Sequence, residues 1–443
     1  MRRWGSLLEQ IDLGRDLGRS ATAAGCSAEE VARLTSPSSG AWGDLVDDVE
    51  GARVLLLDVS PARTAGRFAE RGATVAVADD DPARAAVRAR LLTSTFVPSI
   101  SALGPLLAQR WDVVCIDGRP LRPDLIHAAR AALAPGGRMV VVADNPWSPV
   151  RAVDRASGGL SGPVAFRLGH VRRLLEAEGL PAQRVFGLLR SSVVPACSFD
   201  VNAPRAASEV LAASTTRMSG HRLRAVELLA RVVPGGRATS LLPAWTVIGS
   251  AEPSKAAMPV VGRVGYEETT EAKMLYGEPP RQLEKWYESP AEADAEAMAL
   301  VTLHEAGLDI APRLVGRPAD TACRMTWCDG RTLQVPSLSE EERRHWVTAA
   351  ACALRQIHDA TRRTDGSVLV HGDYWLGNML VEGETISGVI DWASAGRGSP
   401  TTDLAWLVDS LVPLGTRPDS LADLRARCGR GYSDQPSPTK RSI

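Results

Sequence analysis

The sequence predicts a doubly wound α/β domain with a buried parallel sheet, followed by a second domain of mixed α+β class. Three observations predict it. Residues 53 to 143 alternate short apolar runs with helix-patterned stretches, and strands apolar on both faces belong inside a parallel sheet. Beyond residue 262 the pattern changes to an amphipathic strand, a well-capped helix, and a hairpin flanked by Asn378 and Asp391. At 443 residues the chain is too long for one ordinary core, so two or three domains are expected.

Residues 1–50 read as a helical extension: Leu7, Leu8 and Ile11 share a face, and Ser27-Ala28-Glu29-Glu30 opens a second helix. Capping the sheet, covering an acceptor and binding a protein partner all fit this segment. The first domain spans 51–250. Its strands are expected at Val54–Asp58, Thr74–Asp79, Phe96–Ser101, Trp111–Asp117 and Met139–Ala143. Helices fall at Ala62–Arg71, after Asp81-Pro82, and at Leu121–Leu133. Completing the domain are a helix His170–Glu178 stopped by Gly179, strands Gln183–Leu188 and Pro243–Ile248, and a helix Arg222–Arg231. His170 and His221 stand alone and read as helix-edge residues rather than ligands. Ala251 to Val261, with two prolines and little periodicity, reads as a linker at 251–262.

The second domain is expected as a first lobe with its hinge at 263–330, a second lobe at 331–431 and a polar tail at 432–443. Its first marker is the run Arg281 to Tyr287, whose alternation puts Leu283, Lys285 and Tyr287 on one face. Lys255, Lys273, Lys285 and Lys440 are the only lysines among dozens of arginines, so a retained lysine carries weight. The helix that follows is capped by Ser289, takes Pro290 in its first turn, has Glu292 to complete a capping box, and ends at Gly307. Glu296 shares a face with Leu300 and Leu303, and a carboxylate on an inward stripe needs a cation; Lys285 is the candidate. A solvated strand lysine is the alternative for Lys285. Glu292 lies on the same stripe, though its capping role competes.

The densest signal is His371-Gly372-Asp373-Tyr374-Trp375-Leu376-Gly377-Asn378 followed by Val389-Ile390-Asp391-Trp392. Asp373 and Asn378 are spaced as in a kinase catalytic loop. Strands Met379–Glu382 and Thr385–Ile390 around Gly383 form a hairpin that returns to its starting end, so Asn378 and Asp391 meet. An amide oxygen and a carboxylate there suit Mg²⁺ held against ATP phosphates, which leaves Asp373 to take a proton from an attacking hydroxyl.

These residues resemble the aminoglycoside phosphotransferase family, small-molecule kinases with the bilobal protein-kinase fold, over about residues 263 to 430. The resemblance implies Asp373 as catalytic base, Asn378 and Asp391 as magnesium ligands, and Lys285 as the phosphate-binding lysine. It also implies Asp403 as a buried brace of the loop, with His371 in the same supporting role. A helix N-cap is the other reading of Asp403, and both can hold. Trp327, in Arg324 to Gly330, falls where the hinge would meet adenine, or where it simply packs. Two departures stand out. Gly265 to Thr270 lacks a G-x-G-x-x-G and carries two glutamates, and the short stretch after Asp391 makes an abbreviated second lobe the expectation.

In the first domain, the Leu133-Ala134-Pro135-Gly136-Gly137 turn and the acid Asp79 closing the second strand resemble class I S-adenosylmethionine-dependent methyltransferases, a Rossmann-like fold. That resemblance implies Asp79 at the ribose hydroxyls of S-adenosylmethionine. The sequence departs from the pattern at the first turn, where Asp58-Val59-Ser60-Pro61-Ala62-Arg63-Thr64 has no glycine before Gly66. The third strand, Phe96 to Ser101, also lacks an acid.

Composition excludes several classes. The net charge of -1 supplies no basic field for nucleic acid. No apolar run reaches membrane-spanning length, and Met1-Arg2-Arg3 leads into no signal-type core, so a cytoplasmic protein is expected. The seven cysteines show no metal-ligand spacing. Three functions fit: an ATP- and magnesium-dependent O-phosphotransferase whose first domain is a substrate-shaping scaffold; a bifunctional kinase–methyltransferase, resembling in domain order some terminators of bacterial surface polysaccharides; and a non-catalytic assembly module.

Overall fold

The computed structural model describes residues 40–58, 62–78, 99–101, 103–117, 121–145, 147–148, 166–189, 197–215, 241–253, 256–265, 271–333, 338–410 and 418–433. The chain divides into two compact units, Met1–Arg281 and Gln282–Ile443. Several expectations lie outside the described residues: the helices before residue 40, Ser60 and Pro61, Asp79, the helix after Asp81, His221 with the helix Arg222–Arg231, loop residues 266–270, and the tail from 434.

In the first unit a 3-10 helix, Ala41–Leu45, precedes β1 (Arg53–Asp58), α1 (Ala62–Glu70), β2 (Thr74–Ala78), β3 (Ser99–Ser101), α2 (Leu103–Leu107), β4 (Trp111–Asp117), α3 (Pro123–Ala131) and β5 (Leu133–Asp144). Then come α4 (Leu168–Ala177), β6 (Ala182–Leu189), β7 (Cys197–Asp200), α5 (Pro204–Thr215), β8 (Ala244–Ser250), β9 (Val260–Gly265) and β10 (Ala272–Tyr276). Strands β3-β2-β1-β4-β5 lie side by side and all parallel. Val54, Leu55, Leu56 and Leu57 of β1 are all buried, which is the requirement of a central parallel strand covered on both faces. The sheet continues antiparallel through β8, β6, β7, β9 and β10.

The glycine-containing turn expected before the fifth strand lies within it. The ladder steps from Trp111–Leu133 to Val113–Arg138, so Ala134 to Gly137 bulge out of β5. Gly136 takes φ +72° there, a left-handed backbone that glycine adopts without strain. Some elements of this unit had no sequence expectation, among them α2, which is too short to show a period, β7, whose four residues are all buried and show no alternation, and α5, although Pro204 at its first position is a start signal. The segment read as linker already contains the start of β9, where Val260 and Val261 are buried. Arginine–carboxylate pairs fasten the 3-10 region to α1, β6 and β9: Asp44 meets Arg67 at 2.8 Å and Arg263 at 2.9 Å, and Asp47 meets Arg184 at 2.6 Å. Burial alone would raise the Asp44 carboxyl's pKa, but the guanidinium groups of Arg67 and Arg263 bring it below the ordinary value.

The second unit runs β11 (Gln282–Trp286), α6 (Pro290–Glu305), β12 (Leu314–Ala319), β13 (Ala322–Thr326), β14 (Arg331–Thr332), α7 (Glu340–Thr361), β15 (Val368–Val370), a 3-10 turn Leu376–Asn378, β16 (Met379–Glu382), β17 (Thr385–Val389), β18 (Gly396–Gly398), α8 (Thr401–Asp409) and α9 (Pro418–Ser433). β13 pairs antiparallel with both β11 and β12, with α6 packed on them. A small sheet β14-β16-β17 and a β15–β18 pair complete the strands. One core joins Tyr287, Leu300 and Leu303 to Trp346, Leu354, Tyr374 and Trp392. Helix α6 begins at the expected Ser289 cap, whose hydroxyl accepts the Glu292 N–H at 3.4 Å, and of the capping box expected there only this half is described. A full reciprocal capping box opens α7, where Ser339 and Glu342 exchange bonds of 2.8 and 3.2 Å. The Arg324 to Gly330 segment is half strand, since β13 extends to Thr326.

Candidate functional site

The hairpin β16–β17 builds the centre of the site. Met379 pairs with Val389, and the Ile390 N–H donates to the Asn378 carbonyl at 2.9 Å, so the residues entering and leaving the hairpin lie side by side. Asp391 follows with φ +71°, a left-handed turn that directs the chain out of the strand. Its carboxylate bonds the Lys285 ammonium. Lys285 on β11 donates in turn to Glu296 of α6 at 2.9 Å, and the two side chains are 9% and 1% exposed. Burial on its own would lower the lysine's pKa, yet the Glu296 and Asp391 carboxylates carry it above the ordinary value, so the ammonium stays charged.

Asn378 is buried, and its amide nitrogen donates to the Asp373 carbonyl at 3.0 Å and to the Asp373 carboxylate at 3.1 Å. Spending the nitrogen on Asp373 leaves the amide oxygen as the lone-pair donor. That oxygen and the Asp391 carboxylate, set together by the hairpin, are hard donors that fit Mg²⁺. Asp373 itself is half-buried.

A deeper layer holds this loop. The His371 N–H donates to Asp403 at 2.8 Å and the Gly372 N–H at 2.9 Å. His358 of α7 also meets Asp403, at 3.3 Å. Asp403 is in the first turn of α8, whose N-cap is Pro400 with no side-chain bond, so the N-cap reading of Asp403 does not describe it. The His371 ring accepts the Asp373 N–H at Nδ1, 3.2 Å, and meets the Ile390 carbonyl at Nε2, 3.1 Å. That pair of partners places the ring proton on Nε2 and ties the loop of Asp373 to the strand end of Asp391. Burial pushes the His371 pKa below its ordinary value despite the nearby Asp403 carboxylate, and the ring remains neutral at neutral pH. Gly372 has φ +79°, and a Cβ there would lie 2.3 Å from the Ser394 carbonyl oxygen, so only glycine lets the two segments approach.

Replacing Asp403 by alanine should therefore orphan two backbone donors and lower stability by about 3 kcal/mol, while asparagine, which keeps one acceptor, should lose less. Denaturant midpoints measure both; an unchanged midpoint for Asp403→Ala would contradict the bracing role.

The structure thus holds two bonded groups, Asp373–Asn378 and Asp391–Lys285–Glu296, side by side through the backbone bond between Ile390 and Asn378, with His371 and Asp403 beneath. Trp327 sits half-buried just beyond β13, and no described hydrogen bond links it to either group. Two participants escaped sequence reasoning. His358 gave no signal. Tyr287 was visible only as the third residue on the Lys285 face; its hydroxyl donates to Glu296 at 2.5 Å and its ring lies 4.6 Å from the ammonium.

The sequence model of the family described as APH, Phosphotransferase enzyme family, matches residues 361–439. No curated protein sequence matches the chain. Among solved structures, the chain is similar to aminoglycoside phosphotransferase APH(3'')-Id from Streptomyces rimosus ATCC10970 in complex with ADP and streptomycin, at 15% identity and TM-score 0.31, covering 37% of this chain and 83% of that one. It is also similar to macrolide 2'-phosphotransferase MphH from Brachybacterium faecium, at 16% identity and TM-score 0.28, covering 38% and 75%. A putative sarcosine dimethylglycine methyltransferase from Galdieria sulphuraria shares 15% identity at TM-score 0.27, covering 48% and 82%. Among the described residues, no helix is long and apolar enough to cross a membrane.

Proposed function

We propose that the second unit transfers the γ-phosphate of ATP to a hydroxyl of a small molecule, a sugar or a peptide Ser or Thr. The observation that carries this reading is the bonded pair Asp373–Asn378, which the hairpin sets beside Asp391 and its partner Lys285; Asp373, Asn378 and Asp391 lie in the stretch that the phosphotransferase family model also matches. Lys285, held by Glu296, presents a permanent positive charge to the nucleotide phosphates. Asn378 and Asp391 would hold magnesium, which when bound neutralises phosphate charge and orients the transferred group. Asp373 accepts the proton of the acceptor hydroxyl as its oxygen bonds the γ-phosphorus. The bond from that phosphorus to the bridging oxygen breaks, and ADP leaves with the electron pair.

Incubating the full chain with γ-labelled ATP, magnesium and pooled amino sugars, amino alcohols and Ser/Thr peptides should move label onto an acceptor oxygen. Label found only as inorganic phosphate in every pool would replace transfer by hydrolysis.

For the first unit we propose acceptor recruitment or shaping. The glycine-free sequence Ser60-Pro61-Ala62-Arg63 supports this over methyl transfer, because the methyltransferases that the first domain resembles have a glycine-rich stretch after the first strand, and Pro61 lacks an N–H. Calorimetric titration with S-adenosylmethionine should then show no sub-micromolar binding. Tight binding, or a methylated product, would establish the bifunctional reading instead.

A further inference from the structure

We infer that Tyr287 is a positioning residue for nucleotide binding, setting the Lys285–Glu296 pair in place through its hydroxyl and its ring face together. The inference rests on the reading of Lys285 as the phosphate anchor. Tyr287 follows directly on β11, is 4% exposed, and is tied at its backbone N–H to the Thr321 carbonyl at 2.9 Å. From that fixed root the side chain touches both members of the pair. The phenol donates to Glu296 Oε2 at 2.5 Å, the same oxygen that accepts from Lys285 Nζ at 2.9 Å. The ammonium also stands 4.6 Å from the ring centroid. Each contact has a separate consequence.

The hydrogen bond fixes which way the Glu296 carboxylate faces. Without it, one buried oxygen would have only the lysine to orient it, and Lys285 also has Asp391 as a partner. Tyr287 biases that competition towards Glu296 and so keeps the ammonium forward on β11 when Asp391 is needed for the metal. The π face offers the cation an electron-rich surface in a place closed to water. Burial and the Glu296 carboxylate both raise the phenol's pKa, so it is a permanent donor that never competes for the lysine proton.

The test compares Tyr287→Phe, Tyr287→Leu, Lys285→Met and Glu296→Gln in the full chain. The readouts are calorimetric binding of a non-hydrolysable ATP analogue with magnesium, and thermal stability. Tyr287→Phe keeps the ring and should weaken nucleotide binding roughly tenfold, the scale of one hydrogen bond to a charged acceptor, with no more thermal loss than one buried hydrogen bond brings. Tyr287→Leu, losing ring and hydroxyl, should weaken it further. The effect of Tyr287→Phe should largely vanish in the Glu296→Gln background, because both changes act through one carboxylate. Wild-type nucleotide affinity in Tyr287→Phe, or full additivity with Glu296→Gln, would overturn the positioning role. Lys285→Met separates this from the larger reading: if it binds nucleotide as well as wild type, the phosphate anchor is misassigned, whereas its loss beside an unaffected Tyr287→Phe removes Tyr287 alone.

Discussion

Replacing Asp391 by asparagine should abolish magnesium-dependent ATP binding or turnover, a loss of about 10²-fold or more. Asparagine matches aspartate in shape and is among the few residues that tolerate the left-handed backbone found here at φ +71°. The hairpin pairing does not involve the side chain, and Lys285 keeps Glu296 as a partner. What disappears is one negative charge among hard oxygen donors, the charge a divalent cation needs when it bridges protein and phosphates. Circular dichroism should show a folded variant. Turnover like wild type in that variant would sink the assignment of Asp391 as a metal ligand.

Asp373→Ala should separate chemistry from binding. The Asp373 side chain is bonded to the Asn378 amide, which also has the Asp373 carbonyl as an acceptor that alanine would keep, and no described bond joins Asp373 to Lys285 or Asp391. Nucleotide affinity should therefore stay nearly unchanged while phosphoryl transfer falls by roughly 10² or more, the contribution of a positioned general base. A kcat equal to wild type would show that another group takes the proton.

The placement of the site residues was readable because it depends on short-range spacing. A tight hairpin joins its two ends whatever the rest of the fold does, so Asn378 and Asp391 could be paired from the turn at Gly383 alone. Strand alternation and helix periodicity likewise gave Lys285 and Glu296 facing positions, and the structure places them 2.9 Å apart. The positions that escaped depend on tertiary approach. Asp403 could be read as cap or brace, and the choice turned on where Pro400 starts α8. His358 lies on a helix far along the chain from Asp403, and only folding brings them to 3.3 Å.

In the first unit the parallel core was visible because strands buried on both faces are continuously apolar. The bulge at Ala134 to Gly137 was read as a turn, since Pro-Gly-Gly signals both equally well. Strand β7 is four residues, all buried, and carries no alternation by which to recognise it.

The most direct measurement of the central claim is calorimetric titration of the full chain with ATP, first with magnesium and then with the metal chelated. On the proposed reading, Lys285 would offer a charged anchor in either case, while Asn378 and Asp391 would contribute through the metal. Binding should be saturable with magnesium and weaken by about tenfold or more on chelation. ATP that fails to bind at millimolar concentration, or binds equally with and without magnesium, would contradict the central claim.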